Sequence, residues 1–557
     1  MRDRIARIEQ LRRMEFDLLV VGGGATGAAV ARDAALRGLT VALVEQGDLA
    51  QGTSSASSKL IHGGLRYLEQ FEFGLVFEGT SERALLMHLA PHLARPLPFL
   101  FPVYTGRRVG MLQLAAGMWT YDILAMFRNY RRHRMLSRGR TRRAEPGLLP
   151  KGLRGSARYY DCMTDDARLT LETALSAAQE RAVIVPYAEA VELVNDGTRT
   201  AGAWVRDLLA PEAIAGDPGA VEPFHVRARV TVIAAGPWSD RILGPWVGRT
   251  LLRPTKGTHI VFDRERLPVQ NAVVVTGPRD GRVMFVIPWG PRTIVGTTDT
   301  DEGEGPDELE ASAGDVEYLL ETVNTYFPAF QGTPDDVIST WAGLRPLMAS
   351  DSETESAASR EHEIINIDPG LLAIVGGKLT TYRLMGEQIV DDALRKLGVG
   401  RALEPCRTRT TPLPGAQGLT RPEDVDVLAA SLAKDYALDA AVAERLATSY
   451  GVRAPQVVQA GKEADLRPGR LVSDLPVLVD EVAFAVTHDL ASRLDDVLRR
   501  RTPIFLQDRD QGLGCCEEVA AIMADLLGWD AERTALEVER YRAKVAASRR
   551  FRAAPAT

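Results

Sequence analysis

Residues 16–45 read FDLLVVGGGATGAAVARDAALRGLTVALVE. Phe16 to Val21 is a mostly apolar run ending at a glycine, which predicts a buried strand. Gly22, Gly24 and Gly27 then fall at G-x-G-x-x-G spacing. The Ala-rich stretch from Gly27 to Arg37 predicts a helix, and Gly38 stands where a helix C-terminal glycine belongs. Thr40 to Val44 predicts a second strand, with Glu45 at its end. In such a βαβ unit Gly22 permits the tight turn, Gly24 lets the backbone approach a pyrophosphate, and Gly27 allows helix to pack closely on strand. The helix N-terminus offers free N–H groups to phosphates, and Glu45 can accept hydrogen bonds from an adenosine ribose. These residues predict a dinucleotide site. A lone glycine turn in an unrelated α/β domain is the competing explanation, and the flanking strand, helix and acid argue against it.

The fingerprint by itself does not separate a flavin from a nicotinamide dinucleotide. Its N-terminal position, followed by Gly52-Thr53-Ser54-Ser55, favours a flavoprotein. So does the strand Arg229 to Ala235, which runs into the small-residue turn Ala235-Gly236-Pro237-Trp238.

With 557 residues the chain exceeds one ordinary core, so two or three domains are expected. Hydrophobic residues make up 45% and charged residues 25%, an ordinary globular composition. The net charge is -7, yet residues 105–143 hold ten Arg, no Lys and one acid, Asp122. That asymmetry suggests a surface for an anionic partner. Val109 to Phe127 is rich in Met, Leu and Trp, and eight Arg follow by Arg143. The combination suits an anionic membrane surface, against the plainer alternative of a solvated helix packed on its own domain. No nucleic-acid motif accompanies it. The four cysteines, Cys162, Cys406, Cys515 and Cys516, form neither a disulfide framework nor a metal site and suit a reducing compartment. The charged first fifteen residues lack a signal-peptide core, and no window of about 18 residues is uniformly apolar.

Further along, Val283 to Ile287 and Thr293 to Val295 predict a hairpin across Pro288–Arg292. Leu371 to Val375 predicts a strand, and a helix is expected from Thr381 to Leu397, stopped by Gly398. A Pro-, Thr- and Gly-rich break at 404–418 precedes a helical region. The expected fold class is α/β (α+β overall). A Rossmann-like FAD-binding domain spans residues 15–98 with segments of about 155–250 and 340–400. An antiparallel-sheet substrate domain takes 99–154 and 251–339, and an all-helical domain takes 405–557.

Several strings together resemble the FAD-dependent (respiratory) glycerol-3-phosphate dehydrogenase family, within the D-amino-acid-oxidase-like flavoproteins. They are TSSASSKLIHGGLRYL at 53–68, Asp161-Cys162 with DDARL at 165–169, and AGPW at 235–238. Next come KGTHIV at 256–261, IPW at 287–289, GTTD at 296–299, GLRPL at 343–347 and GGKLTTYR at 376–383. They occur in the family's order over residues 16–400; the tail is similar more loosely, most clearly at DDVLRRRT, 495–502. The resemblance implies oxidation of sn-glycerol 3-phosphate at C2 to dihydroxyacetone phosphate by non-covalent FAD, with electrons passed to membrane quinone. It implies a homodimer, cytoplasmic and peripherally attached to the inner face of the cell membrane. An oxidase using O₂, and a related amine or amino-acid oxidase, are the alternatives.

The implied flavin cradle comprises Gly22, Gly24, Ala25, Thr26, Gly27 and Glu45, with Thr53, Ser54, Ser55 and Lys59. His62, Gly63, Gly64, Ala235 and Gly236 continue it. Gly377, Lys378, Leu379, Thr380 and Thr381 close it at the isoalloxazine end. Only eight lysines exist, and Lys59, Lys256 and Lys378 all lie inside the strings. A phospho-alcohol needs cationic donors. Arg66, Arg345 and Lys378 are the leading candidates, Arg360 a weaker one, and Tyr67 a hydrogen-bonding neighbour. Removal of the hydroxyl proton needs a base that is neutral near pH 7. His259 is the favoured base, with His62 beside the flavin as the alternative. No metal site is expected.

Overall fold

The computed structural model describes residues 2–106, 109–301, 305–307, 309–349, 362–398 and 404–552, without the side chains of Arg2, Asp3, Arg66 and Asp301. The opening unit forms as β1 (Glu15–Val21), α1 (Ala25–Leu36) and β2 (Val41–Glu45). The helix starts two residues before Gly27, because Gly24 is the N-terminal boundary and Ser54 Oγ accepts the Ala25 N–H at 2.9 Å. β1 pairs in parallel with β2 and with β3 (Phe224–Ile233). The sheet runs His362–Asp368, β6 (Leu371–Gly376), β3, β1, β2, Val183–Pro186, with the hairpin of Ala188–Asn195 and Thr200–Asp207 attached to β3. β1 is buried on both faces, the usual condition of a central parallel strand. Leu18 and Val20 pack with α1 and with α2 (Tyr382–Leu397) through Val30, Ala34, Met385 and Ile389. Phe16 and Leu19 pack on the other face with Ala203, Val205 and Leu243. A helix over Arg2–Arg13, which the charged sequence did not announce, covers part of that face with Ile8 and Leu11.

Among the described residues the second sheet has ten strands. Its order is Thr300–Asp301, β4 (Thr255–Asp263), Arg292–Gly296, Val283–Trp289, Ala272–Thr276, Arg95–Tyr104, Leu153–Met163, Leu60–Ile61. β5 (Ser339–Arg345) pairs with β4, and Arg134–Ser137 with Leu153–Met163. The expected hairpin is present, but pairing runs on to Trp289 and Arg292, so the turn is only Gly290-Pro291. The domain bounds drawn from sequence differ here. Residues 153–163 pair antiparallel with 95–104 along nearly their whole length, and 60–61 and 339–345 also join the second sheet. Residue alternation marks a strand without naming its sheet. The two units therefore interleave more finely than a sequence boundary conveys.

Beyond residue 404 the chain is helical, from Pro422–Asp435 to Ala531–Ser548. The string at 495–502 closes this region onto the first sheet. Arg501 Nη1 and Nη2 each lie 2.7 Å from the Asp48 carboxylate, and Arg500 Nε lies 2.5 Å from it. Arg500 also reaches Asp496, 2.7 Å away, which accepts the Tyr187 hydroxyl at 2.5 Å. Asp48 is fully buried and sits three residues past Glu45. Asp48→Ala would remove the paired carboxylate of the buried Arg501 and one of those of Arg500, at a cost of about 3–5 kcal/mol. We expect a lower urea midpoint for the variant; an unchanged midpoint would remove the pair from the fold's support.

Candidate flavin and substrate site

One cavity of about 1240 Å³ runs between the C-terminal ends of the parallel strands and the face of the second sheet. It exceeds the roughly 300–1,000 Å³ of ordinary small-molecule pockets, leaving room for a dinucleotide and a second ligand. Gly22 has φ +114°, and an added Cβ would stand 2.5 Å from Ala234 O. At Gly27 an added Cβ would stand 1.9 Å from Gly22 O, so Gly27 is a packing residue rather than part of the wall. The first turn of α1 carries no acid, so its N-terminus remains electropositive toward the cavity. Glu45 lines the cavity, and its two oxygens accept Gly23 N–H at 2.6 Å and Gly47 N–H at 2.8 Å. Burial pushes its pKa up. Its carboxylate thus fixes the glycine turn, as well as facing the place a ribose would occupy.

Most of the expected cradle converges on this cavity. Gly22, Gly24, Ala25, Thr26, Glu45, Thr53 and Ser54 line one stretch, and Ala235 and Gly236 flank it. His62, Gly63, Gly64, Gly377, Lys378, Leu379, Thr380 and Thr381 line another. Thr380 ties these two loops together: its hydroxyl accepts His62 N–H at 3.1 Å and donates to His62 O at 3.2 Å. Asp161 braces them from below, accepting Gly63 N–H at 3.2 Å and Tyr121 OH at 2.9 Å and pairing with the buried Arg83. Two expectations fail. Lys59 points away from the cavity, its ammonium 2.7 Å from Asp166 and within 6 Å of the Trp289 and Trp341 rings. Ser55 directs its hydroxyl back to Gly52 O at 3.4 Å. In the short 3₁₀ turn Thr53–Ser55 only Thr53 and Ser54 face inward.

The wall opposite the fingerprint is cationic and polar. His259 lies in β4, its ring stacked on Trp341 at 4.7 Å and its Nε2 2.8 Å from Ser58 Oγ. His259 Nδ1 has no hydrogen-bond partner among the described residues. Burial, then the positive charges of Arg345 and Lys59, hold this imidazole well below the ordinary value of 6.5. Arg345 ends β5, donating to Asp299 at 2.5 Å and to Thr297 Oγ1 at 3.1 Å. Lys378 places its ammonium 4.1 Å from the centre of the Tyr67 ring, and both line the cavity. The backbone of Arg66 lies in the 3₁₀ helix Leu65–Gln70, adjoining this wall, while its side chain and all of Arg360 fall outside the described residues. Lys256, singled out with the strings, does not line the cavity; its ammonium lies 3.3 Å from the Asp315 carboxylate.

Sequence reasoning missed Ser58, Asp161, Arg282 and Asp299, all part of the cavity wall. Ser58, Asp161 and Asp299 stand inside quoted strings that could have flagged them. Arg282 stands in none, and only the fold brings it in. Among the described residues no cluster of metal-ligating side chains occurs.

Residues 17–390 match the FAD dependent oxidoreductase family, and residues 406–534 match the C-terminal domain of alpha-glycerophosphate oxidase. The glycerol-3-phosphate dehydrogenase of Mycobacterium leprae is 40% identical over 98% of this chain and 90% of its own length. The chain belongs to the FAD-dependent glycerol-3-phosphate dehydrogenase family. The aerobic glycerol-3-phosphate dehydrogenase of Staphylococcus aureus is 36% identical over 94% of this chain and 92% of its own length. A solved glycerol-3-phosphate dehydrogenase from Bacillus halodurans, complexed with FAD, superposes with TM-score 0.79 at 30% identity, covering 98% of each chain. FAD is the family's cofactor, and the glycine turn, helix N-terminus and cavity size described above fit it. In this FAD-dependent family Gly27→Ala forces a carbon into Gly22 O, and the expected product is a colourless protein. A yellow Gly27→Ala protein with normal flavin content would contradict the packing.

Proposed function

We propose that this chain oxidises sn-glycerol 3-phosphate at C2 to dihydroxyacetone phosphate and passes the electrons to a membrane quinone. The observation that carries the reading is a buried imidazole, its pKa held well below the ordinary value by burial and nearby cations, sharing a cavity wall with Arg345 and Lys378 and facing a cleft that fits FAD. Bound FAD supplies the hydride acceptor, and the chain supplies orientation, charge and a proton acceptor. Arg345 and Lys378 attract the phosphate, with Arg66 and Arg360 as further cations. Tyr67, under the Lys378 ammonium, restricts where that charge sits. His259 takes the C2 hydroxyl proton at Nε2, where Ser58 Oγ now lies. His62 suits a different role. Its Nδ1 accepts the Gly64 N–H at 3.1 Å, so the neutral ring carries its proton on Nε2 and is a donor. We assign the flavin to the residues named from the sequence, less Ser55 and Lys59, with Gly27 acting through packing alone.

Support for a quinone comes from an apolar branch of the cavity, lined by Leu65, Leu68, Phe71, Leu75, Leu114 and Phe101. It passes beside the helix Met111–Leu124, whose outer face is apolar, with Leu112 89% exposed. Phe71, Phe73, Phe77, Trp119, Ile123, Met126 and Phe127 are also exposed. Arg128 and Arg132 lie over Phe77 and Phe127. Apolar rings interleaved with Arg suit an anionic lipid surface. No helix among the described residues is long and apolar enough to cross a membrane, and a peripheral attachment on the cytoplasmic side is the proposed one.

Anaerobic addition of glycerol 3-phosphate should bleach the flavin stoichiometrically, while glycine or proline leaves it oxidised; the reverse pattern would favour the amino-acid oxidases. Mixing the reduced protein with a soluble quinone or with O₂ then identifies the acceptor, and fast reoxidation by O₂ alone would make it an oxidase. His259→Ala should slow single-turnover reduction with FAD retained. Because folding depresses the His259 pKa, the base stays competent as pH falls to 6.5. The acid limb of kcat/KM is therefore expected below pH 6.5, where the substrate phosphate itself titrates near about 6. A limb at or above pH 7 would assign the proton to another group. Leu112→Glu with Met126→Glu should abolish co-sedimentation with anionic vesicles and leave anaerobic flavin reduction as in the parent protein. Undiminished co-sedimentation would place the membrane contact elsewhere.

A further inference from the structure

We propose that Ser58 stands between substrate and base, its Oγ taking the C2 hydroxyl proton while its own proton passes to His259 Nε2. The relay rests on the glycerol-3-phosphate reading above and names the residue that touches the hydroxyl. Strand register closes the imidazole from both flanks. His259 in β4 pairs with Gly296 on one side and with Trp341 of β5 on the other. The ring stacks on the Trp341 ring, with centroids 4.7 Å apart and planes 7° from parallel. It also lies so close to Gly296 that an added Cβ there would stand 2.1 Å from His259 Cδ2. His259 is only 2% exposed, and its Nδ1 is buried with no hydrogen-bond partner among the described residues. Nε2 is left as the polar contact of the ring, and it meets Ser58 Oγ at 2.8 Å. Ser58 is half-buried and lines the cavity, so its hydroxyl covers the one ring nitrogen that has a partner.

The loop that carries Ser58 is fastened on both sides of it. The fully buried Asp166 accepts Ser57 N–H at 3.0 Å and Ser57 Oγ at 2.7 Å through Oδ2, and pairs with the Lys59 ammonium at 2.7 Å through Oδ1. Trp341 Nε1 donates to Ser57 O at 3.2 Å, so the indole that backs the imidazole also anchors the residue before Ser58. Both ends of the Ser58–His259 bond are therefore set by the same neighbours. Among the described residues the Ser58 hydroxyl has His259 as its hydrogen-bond partner. A hydroxyl held on a neutral imidazole is the arrangement in which serine gives up its proton most readily. The atoms balance without any further reactant. The C2–H bond breaks and its electron pair leaves as hydride for the flavin, while the O–H pair closes the C2=O bond. The hydroxyl proton moves to Ser58 Oγ and the serine proton to Nε2, so serine ends as it began and His259 holds the added proton.

The test is anaerobic single-turnover reduction of the FAD-loaded protein by glycerol 3-phosphate in mixtures of H₂O and D₂O. With two protons moving as the hydride leaves, the wild-type rate should fall along a bowed curve as the deuterium fraction rises. A straight line signals one proton and would overturn the relay. Ser58→Ala should lower the limiting rate by about a hundredfold or more, the scale of a lost positioned proton transfer. Its apparent Kd for glycerol 3-phosphate should shift by less than about tenfold, the limit for one neutral hydrogen bond. Ser58→Thr keeps the hydroxyl and should recover part of the rate. A serine that merely props the imidazole would slow the alanine variant and leave the wild-type curve straight. The parent rate in Ser58→Ala would also overturn the relay, whatever His259→Ala does. If Ser58→Ala fails to retain flavin, the wild-type curve and Ser58→Thr decide, a straight line or a threonine variant with no reduction counting against the relay. Failure of the substrate assignment looks different. A wild-type flavin that glycerol 3-phosphate does not bleach would defeat that assignment and the relay with it, whereas equal bleaching rates in wild type and Ser58→Ala would defeat the relay alone.

Discussion

The structure depends first on a contact between two pieces of backbone, where Gly27 lies against Gly22 O so closely that no side-chain carbon fits. That contact sets α1 tightly on β1 and turns the helix N-terminus toward the cavity. Free N–H groups and the helix dipole then make a place for phosphates with no charged side chain in the first turn. Glu45 fastens the same turn by accepting the Gly23 and Gly47 N–H groups. Asp48, just beyond, carries the load of the C-terminal region through Arg500 and Arg501. The glycine turn, the buried Glu45 and the ion cluster on Asp48 thus meet at the end of β2, and disturbance of one is transmitted to the others.

The second sheet gives the cavity its chemical asymmetry. Toward the fingerprint the wall is small and backbone-rich. Toward β4 and β5 it carries His259, Arg345 and the residues that aim them. Burial, then the positive charges of Arg345 and Lys59, hold the imidazole's pKa well below its ordinary value. A protonated ring there would add another positive charge to an already positive neighbourhood. The cations proposed to attract a phospho-alcohol therefore also keep the proposed base available for its proton. In the proposed reading, attraction of the substrate and removal of its proton draw on one arrangement of charge.

How much of this the sequence revealed follows from the range of each interaction. The βαβ unit was legible because its signals are local: an apolar run, glycines at fixed spacing, an acid at a strand end. The same holds for α2 and its stop at Gly398, which has φ +66°. The loops His62 to Gly64 and Gly377 to Thr381 were picked out by their resemblance to a family pattern, and the fold brings them together through Thr380. Lys59 was misread because a lysine in a small-residue string has the same sequence appearance whether it faces a cavity or Asp166. Arg282 was invisible, since its placement depends on which strands pair across the second sheet. The interleaving of the two sheets was missed for that reason as well. Leu153–Met163 reads as a strand, and nothing local states that Arg95–Tyr104 is its partner.

The central claim is that the substrate lies between these two walls with its C2–H bond directed at the flavin and its hydroxyl at His259. Deuterium substitution tests that geometry most directly, through the anaerobic rate of flavin reduction. Glycerol 3-phosphate deuterated at C2 should reduce the flavin more slowly than the unlabelled compound, and deuterium at C1 or C3 should leave the rate unaltered. Equal rates for all labels under conditions where reduction limits turnover, or a slowing confined to C1, would contradict the account.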